Sequence, residues 1–163
     1  MRYRMKQRLF TLADSFIIQD HEGHPAFTVD GKLLAVGDQF VFRDMAGSEL
    51  AQIKQKVMSW RATYEIHRDG KLAAVVEGVP LEHLRLHATF AISVPGAREL
   101  VVAGDFWGLE YEVRRGERMV AKVSKEAFTW ADAYEVQVME KEDAVLALAI
   151  AVVIDMVCHP GRV

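Results

Sequence analysis

The sequence predicts a mostly β protein of the α+β class, in which one antiparallel sheet closes into a barrel around a C-terminal helix. Most of the chain consists of short stretches with alternating apolar and polar residues, separated by tight turns, a pattern typical of half-buried strands. The last part of the chain is instead apolar on every side of a helical turn. A chain of 163 residues can bury one core, so we expect residues 1–163 to form a single domain.

The first predicted strand carries a basic residue at every second position. These residues are Arg2, Arg4, Lys6 and Arg8. Because alternate side chains of a strand share one face, they are expected to form one basic row. Lys54 and Lys56 repeat this spacing on a later strand.

Two predicted hairpin tips share the same spacing of Asp and Gly. Asp20 is followed three residues later by Gly23, and Asp44 is followed in the same way by Gly47. This spacing suits a type I turn that is closed by a residue at positive φ.

A seven-residue pattern occurs twice in the chain. Residues 60–66 (WRATYEI) can be laid over residues 107–113 (WGLEYEV), and an Arg and a Gly follow each stretch. Two similar β units suggest a pseudo-symmetric sheet. Chance similarity between amphipathic hairpins would explain the match equally well.

The terminal run predicts a helix. Residues 144–154 include no polar side chain, and the His-Pro-Gly of residues 159–161 ends the run. Acidic residues precede the run and Asp143 suits the N-cap, which is the charge order that a helix dipole favours. At about 1.5 Å per residue the helix is roughly 22 Å long, short of the roughly 30 Å core of a bilayer. It also contains Asp155, so a membrane-spanning helix is a weaker interpretation than a buried helix.

A helix that is apolar on every side must be buried on every side. The rest of the chain is predicted to form mostly β-strands, so only a sheet could surround the helix. This favours a barrel with the helix through its middle. The helix would then fill the lumen and leave no room for a ligand there. The alternative is a helix packed under an open sheet, which would leave part of its apolar circumference exposed.

Composition and charge narrow the functional classes. A net charge of -3 and a pI near 6.1 argue against a general nucleic-acid binder, so no nucleic-acid partner is expected. A single cysteine, Cys158, excludes an internal disulfide. The start of the chain lacks the apolar core of a signal peptide, and we therefore expect a cytoplasmic protein.

Six motifs, in order along nearly the whole chain, make this sequence resemble the LURP-one-related family. They are MRYRMKQRLF (1–10), VDGK (29–32), YEIHRDGK (64–71), GDF (104–106), VSK (123–125) and EDAVLALAIAVVID (142–155). That family is similar in fold to the tubby C-terminal domain and to phospholipid scramblases. The resemblance implies a tubby-like barrel of about twelve strands around a central hydrophobic helix.

The resemblance implies less about activity. Tubby domains bind phosphoinositide headgroups at the membrane surface and scramblases act on lipids, but the family offers no catalytic residues to carry over. The scramblase relatives have an acidic calcium-binding stretch before the terminal helix. Here residues 138–143 (VMEKED) lack the alternating Asp and Gly of a calcium loop, so calcium-driven scrambling is not expected.

The basic row is the candidate site for an anionic ligand, with Lys54 and Lys56 as further candidates. Anionic membranes attract basic residues, and Arg binds phosphate with two parallel hydrogen bonds. The expected partner is an anionic phospholipid or phosphoinositide, bound peripherally at the inner membrane face, or another phosphorylated ligand. Alternatively the row is a solvated strand face, or its charges discourage edge pairing, in a structural or protein-interaction module. A third alternative is a scramblase-like protein whose helix leaves the barrel for the bilayer.

Other residues that could carry chemistry fit structural roles better. A buried Asp155 needs an Arg or several hydrogen-bond donors, which favours an anchor to the barrel wall over a functional group. The HEGH of residues 21–24 lacks the helix and the histidine spacing of a metalloprotease motif, so no metal site is expected. The chain has no phosphate loop, nucleophile elbow or dinucleotide fingerprint. We therefore expect no catalytic residues, no cofactor and no enzymatic activity.

Overall fold

Twelve antiparallel strands form a closed barrel around one helix, which confirms the predicted architecture. The computed structural model describes residues 1–7, 15–32, 37–57, 59–78, 89–125 and 133–159. The strands are β1 (Arg2–Gln7), β2 (Ser15–Asp20), β3 (Pro25–Lys32), β4 (Gln39–Asp44), β5 (Glu49–Gln55), β6 (Thr63–Arg68), β7 (Lys71–Glu77), β8 (Thr89–Ser93), β9 (Leu100–Asp105), β10 (Glu110–Arg115), β11 (Arg118–Lys125) and β12 (Ala133–Val138). The helix α1 spans Ala144–Cys158.

The barrel closes through β1, which pairs with both β2 and β12. Tyr3 lies opposite Val136 of β12, and Met5 lies opposite Ile18 of β2. The amino group of Met1 donates to the carbonyl oxygen of Val138 at 2.7 Å, at the end of the barrel where the chain turns toward the helix. Every other strand pairs with its neighbours in sequence, so successive strand connections alternate between the two ends of the barrel.

Both predicted Asp-to-Gly turns are confirmed. Asp20 Oδ1 accepts the backbone N–H groups of residues 22 and 24, each at 2.9 Å. Asp44 Oδ1 accepts those of residues 46 and 48 in the same way. Gly23 and Gly47 close the turns at φ values of 87° and 88°, a left-handed conformation that glycine adopts without strain.

The helix runs through the barrel and fills it. Residues 147–155 are all buried, and this stretch covers more than two turns, so no side of the helix faces water there. The helix packs against β5, β6 and β7 and also against β11 and β12. This excludes the alternative of a helix under an open sheet. Among the described residues, no helix is both long and apolar enough to cross a bilayer.

Asp143 caps the helix, as the sequence predicts. Its Oδ1 accepts the backbone N–H of Leu146 at 3.1 Å, which satisfies one of the free donors in the first turn. Its other carboxylate oxygen accepts a hydrogen bond from Arg68, at the end of β6. The cap therefore also ties the start of the helix to the barrel wall.

Glu142 makes further ion pairs with the barrel wall at the same end of the barrel. Its side chain is only 6% exposed, and its carboxylate pairs with Arg118 and with Arg115, whose Nη1 lies 3.1 Å from Oε2. Burial opposes the ionisation of Glu142, but the hydrogen bond from Arg118 and the charge of Arg115 outweigh burial and lower the pKa of the carboxyl.

The two similar seven-residue stretches each lead along a strand to an arginine at this helix entrance. Trp60 and Trp107 begin the stretches, and Arg68 and Arg115 follow each Trp by eight residues. The two arginines bind adjacent carboxylates, those of Asp143 and Glu142. The repeated pattern thus has the same structural role in both copies, whatever its origin.

We predict that Glu142→Gln lowers the free energy of unfolding at pH 7 by about 1 to 3 kcal/mol, because it removes the charge that two arginines bind. Since the folded state lowers the pKa of Glu142, the stabilisation is full above the unfolded value of 4.5 and is lost as the pH falls through the folded pKa. Urea unfolding at several pH values should therefore show a difference between the two proteins that shrinks below about pH 4.5.

The matched control is Glu140→Gln, which removes an exposed carboxylate from the same segment. We expect it to leave stability nearly unchanged. An equal gap between the native protein and Glu142→Gln at pH 7 and at pH 3 would contradict the role given to Glu142.

Candidate functional site

The structure places three residues of the predicted basic row on the outer wall of the barrel. Met5 is fully buried against the core, so Arg2, Arg4 and Lys6 alternate with it and point outward. Arg8 lies outside the described residues.

The outward neighbours of this row are mostly uncharged. The residues in register with its three cations are Gln137, Glu135 and Ala133 on β12, and Gln19 and Ile17 on β2. Of these five only Glu135 is charged, and its Oε1 lies 3.9 Å from Nε of Arg2. An exposed pair at this distance contributes little. In register the row has three cations and one carboxylate, and the carboxylate of Asp20 also lies beside Arg2 and Arg4.

A small cavity lies beside the row, and it is not a positive pocket. Its volume is about 120 Å³, and its lining includes the carboxylates of Asp20 and Glu135 as well as Arg2 and Arg4. Ligand pockets usually measure about 300 to 1,000 Å³, so this cavity is too small to enclose a headgroup. Any binding by the row therefore takes place on an open surface.

Lys54 and Lys56 do not extend the row. They belong to β5 and its exit, and three strands separate β5 from β1 around the barrel. Lys54 lies in register with Glu65, and Nζ of Lys56 lies 3.3 Å from Oε1 of the same carboxylate. A hydrogen bond from His67, with the Lys56 contact, lowers the pKa of Glu65 and keeps it ionised. The six predicted residues thus divide between two faces, apart from Arg8.

Asp155 is buried near the end of the helix, where it contacts His159. Its Oδ1 lies 3.1 Å from His159 Nδ1, and His159 Nε2 lies 3.3 Å from the carbonyl oxygen of Trp107. Both oxygens are acceptors, so both contacts are hydrogen bonds only when both ring nitrogens carry protons. These contacts connect Asp155, through His159, to the β9–β10 turn of the barrel wall, as expected for a structural anchor. The contribution of Asp155 to the stability of the protein stays a prediction.

Sequence reasoning missed the part of His159 in this contact. The available signal was the spacing of four residues between Asp155 and His159, which puts two side chains on one face of a helix. It also missed the arginines at the helix entrance, because the arginines and their carboxylates are far apart in sequence.

Cys158 and Tyr111 lie close to Asp155 but are poorly suited to nucleophilic chemistry. Burial, and then the charge of Asp155, raise the pKa of the Cys158 thiol to about 12, so the thiol is protonated at neutral pH. Burial and Asp155 also raise the pKa of Tyr111, whose hydroxyl has no hydrogen-bond partner among the described residues. Cys158 and Tyr111 therefore fit a structural role at the end of the helix better than a role in covalent catalysis.

Three potential metal ligands meet at the exposed β2–β3 turn. Asp20, Glu22 and His24 each place one ligand atom within 4.8 Å of the others. Asp20 Oδ1 already accepts two backbone N–H groups that close the turn. The arrangement is therefore explained by turn geometry.

Comparisons with known proteins agree with this architecture. The family model described as LURP-one-related matches residues 1–155. The uncharacterised protein YxjI of Bacillus subtilis strain 168 is 34% identical over 156 residues, which cover 95% of this chain and 92% of that protein. The X-ray structure of an Arabidopsis thaliana protein covers 95% of this chain and 91% of its own chain, with a TM-score of 0.65 and 16% identity. This structural likeness shows a shared fold.

We predict that Asp155→Asn lowers the free energy of unfolding by about 1 to 3 kcal/mol, because it removes the charged acceptor of a buried hydrogen bond. His159→Ala is expected to have a similar effect. If the two side chains act through each other, urea unfolding of the double variant will show less than the sum of the single effects. Strictly additive effects would show that Asp155 does not act through His159, and the exposed Glu117→Gln variant provides the control.

Proposed function

This chain belongs to the LURP-one-related family, and on that premise we propose that it is a non-enzymatic barrel that binds anionic phospholipid peripherally at a membrane surface. The observation that carries the proposal is the outward row of Arg2, Arg4 and Lys6, with a single carboxylate in register beside it. The likeness to tubby domains and scramblases, which act on lipids, supports the same class of ligand.

The size of the electrostatic attraction is sufficient for weak, reversible binding. Each basic residue near an anionic leaflet gains about 1 kcal/mol, so three of them gain about 3 kcal/mol, or roughly 100-fold in affinity. The guanidinium groups of Arg2 and Arg4 add hydrogen bonds to phosphate oxygens. Because α1 fills the lumen, the outer surface is where such a ligand has room to bind.

We predict that the protein sediments with vesicles that contain phosphatidylglycerol and not with vesicles of phosphatidylcholine alone. Binding should weaken as salt is raised, since ions screen charges over about 8 to 10 Å at physiological ionic strength. Changing Arg2, Arg4 and Lys6 together to Gln should reduce affinity on the order of 100-fold at low salt. Phosphoinositide vesicles of equal total charge will show whether the headgroup matters.

The matched control removes three positive charges elsewhere. Lys71, Arg98 and Lys141 are exposed and lie outside β1, in or beside connections at the end of the barrel where the helix begins, so changing them to Gln produces the same net charge without disturbing β1. We expect this variant to bind nearly as well as the native protein. If the native protein does not sediment with anionic vesicles at low salt, the row is a solvated face and the proposal is wrong.

A further inference from the structure

Two exposed tryptophans lie at the end of the barrel where the helix ends. Trp60 belongs to the β5–β6 connection and Trp107 to the β9–β10 turn, and strand alternation places both connections at the same end. Trp107 contacts His159, just after α1, which identifies this end as the helix exit. Trp60 is 77% exposed and Trp107 is 51% exposed.

The β5–β6 connection also exposes an aliphatic side chain beside the indole. Val57 is 58% exposed, and it lines a cleft of about 500 Å³ whose other lining residues include Trp60, Lys56 and Glu77. Two adjacent exposed apolar side chains leave apolar area in contact with water, which burial in another apolar layer would remove. An indole has an apolar body and a polar N–H, and such side chains are enriched where bilayer and water meet.

A cation accompanies the exposed indole. Arg61 is exposed, and its Cζ lies 4.5 Å from the centroid of the Trp60 ring. In the described part of the chain no carboxylate pairs with Arg61, whereas Lys56 is bound to Glu65. The stack therefore holds an available guanidinium beside the ring, at the depth where lipid phosphates lie when an indole enters the headgroup layer.

We infer that the protein docks on the bilayer end-on, with Trp60 and Val57 in the interfacial layer and Arg61 on a lipid phosphate. This inference rests on the proposed function, that the protein binds anionic membranes, and it assigns the surface and orientation of binding. In this orientation Lys6 lies nearest the membrane and Arg2 farthest from it, so changing all three β1 cations to Gln should weaken binding by less than the roughly 100-fold expected for docking on the β1 face. Arg2 lies at the helix entrance and Lys6 nearer the helix exit, about 13 Å further along the strand at 3.3 Å per residue.

End-on docking predicts unequal effects along that row. At physiological ionic strength, screening confines the attraction of an anionic leaflet to about 8 to 10 Å, so under that condition Lys6→Gln should weaken binding clearly more than Arg2→Gln. Docking on the β1 face would instead make the two substitutions about equal.

The decisive measurement is quenching of Trp60 fluorescence by brominated phosphatidylcholine in vesicles that also contain phosphatidylglycerol. A variant with Trp107→Phe and Trp130→Phe retains Trp60 as its single tryptophan. We expect its emission to shift to shorter wavelength and to be quenched on binding. In parallel, Trp60→Ser in the otherwise native chain should reduce vesicle affinity on the order of tenfold.

The matched control is Met45→Ser at the β4–β5 turn, which lies at the opposite end of the barrel and exposes 55% of Met45. It should bind like the native protein. Salt-sensitive binding with unquenched Trp60 and an unaffected Trp60→Ser variant would overturn end-on docking and leave the proposed function standing. Absence of all vesicle binding would overturn both.

Discussion

The helix α1 is buried on every side over residues 147–155, and the rest of the structure depends on surrounding it. A single sheet layer covers only one side of a helix, whereas a closed sheet covers all of them. Closure in turn requires the first strand to pair with the last, which β1 does with β12. The outward position of the basic row is thus a consequence of burying a helix at the other end of the chain.

Apolar packing holds the helix inside but is non-directional, so it specifies the position of the helix along the barrel only weakly. Polar contacts at the two ends of the helix can instead fix its position along the barrel. At the entrance, Asp143 and Glu142 bind arginines that end β6 and β10 or begin β11. At the exit, Asp155 and His159 reach the carbonyl oxygen of Trp107. Each of these contacts is directional and breaks if the helix slides by one turn.

A filled lumen also determines where binding can occur. Many barrels hold ligands inside, but here the helix occupies that space, so recognition has to use the outer wall or an end of the barrel. The outer wall offers the row of Arg2, Arg4 and Lys6, while the helix exit offers Trp60 with Arg61 stacked on it. The two surfaces differ in chemistry, because one is charged and the other combines apolar area with a cation. They imply different orientations of the same barrel on a membrane.

The sequence by itself determined the fold class, the helix and its N-cap Asp143, the two Asp-to-Gly turns and the alternation that points Arg2, Arg4 and Lys6 outward. These features depend on local periodicity or on neighbouring residues, which one sequence displays directly. Only the tertiary structure decided that Lys54 and Lys56 lie on another face, that Arg68 and Arg115 bind the carboxylates before the helix, and that Trp60 and Trp107 share one end. Those relations join residues far apart in the chain, and they exist only because the barrel closes with a particular strand order and register.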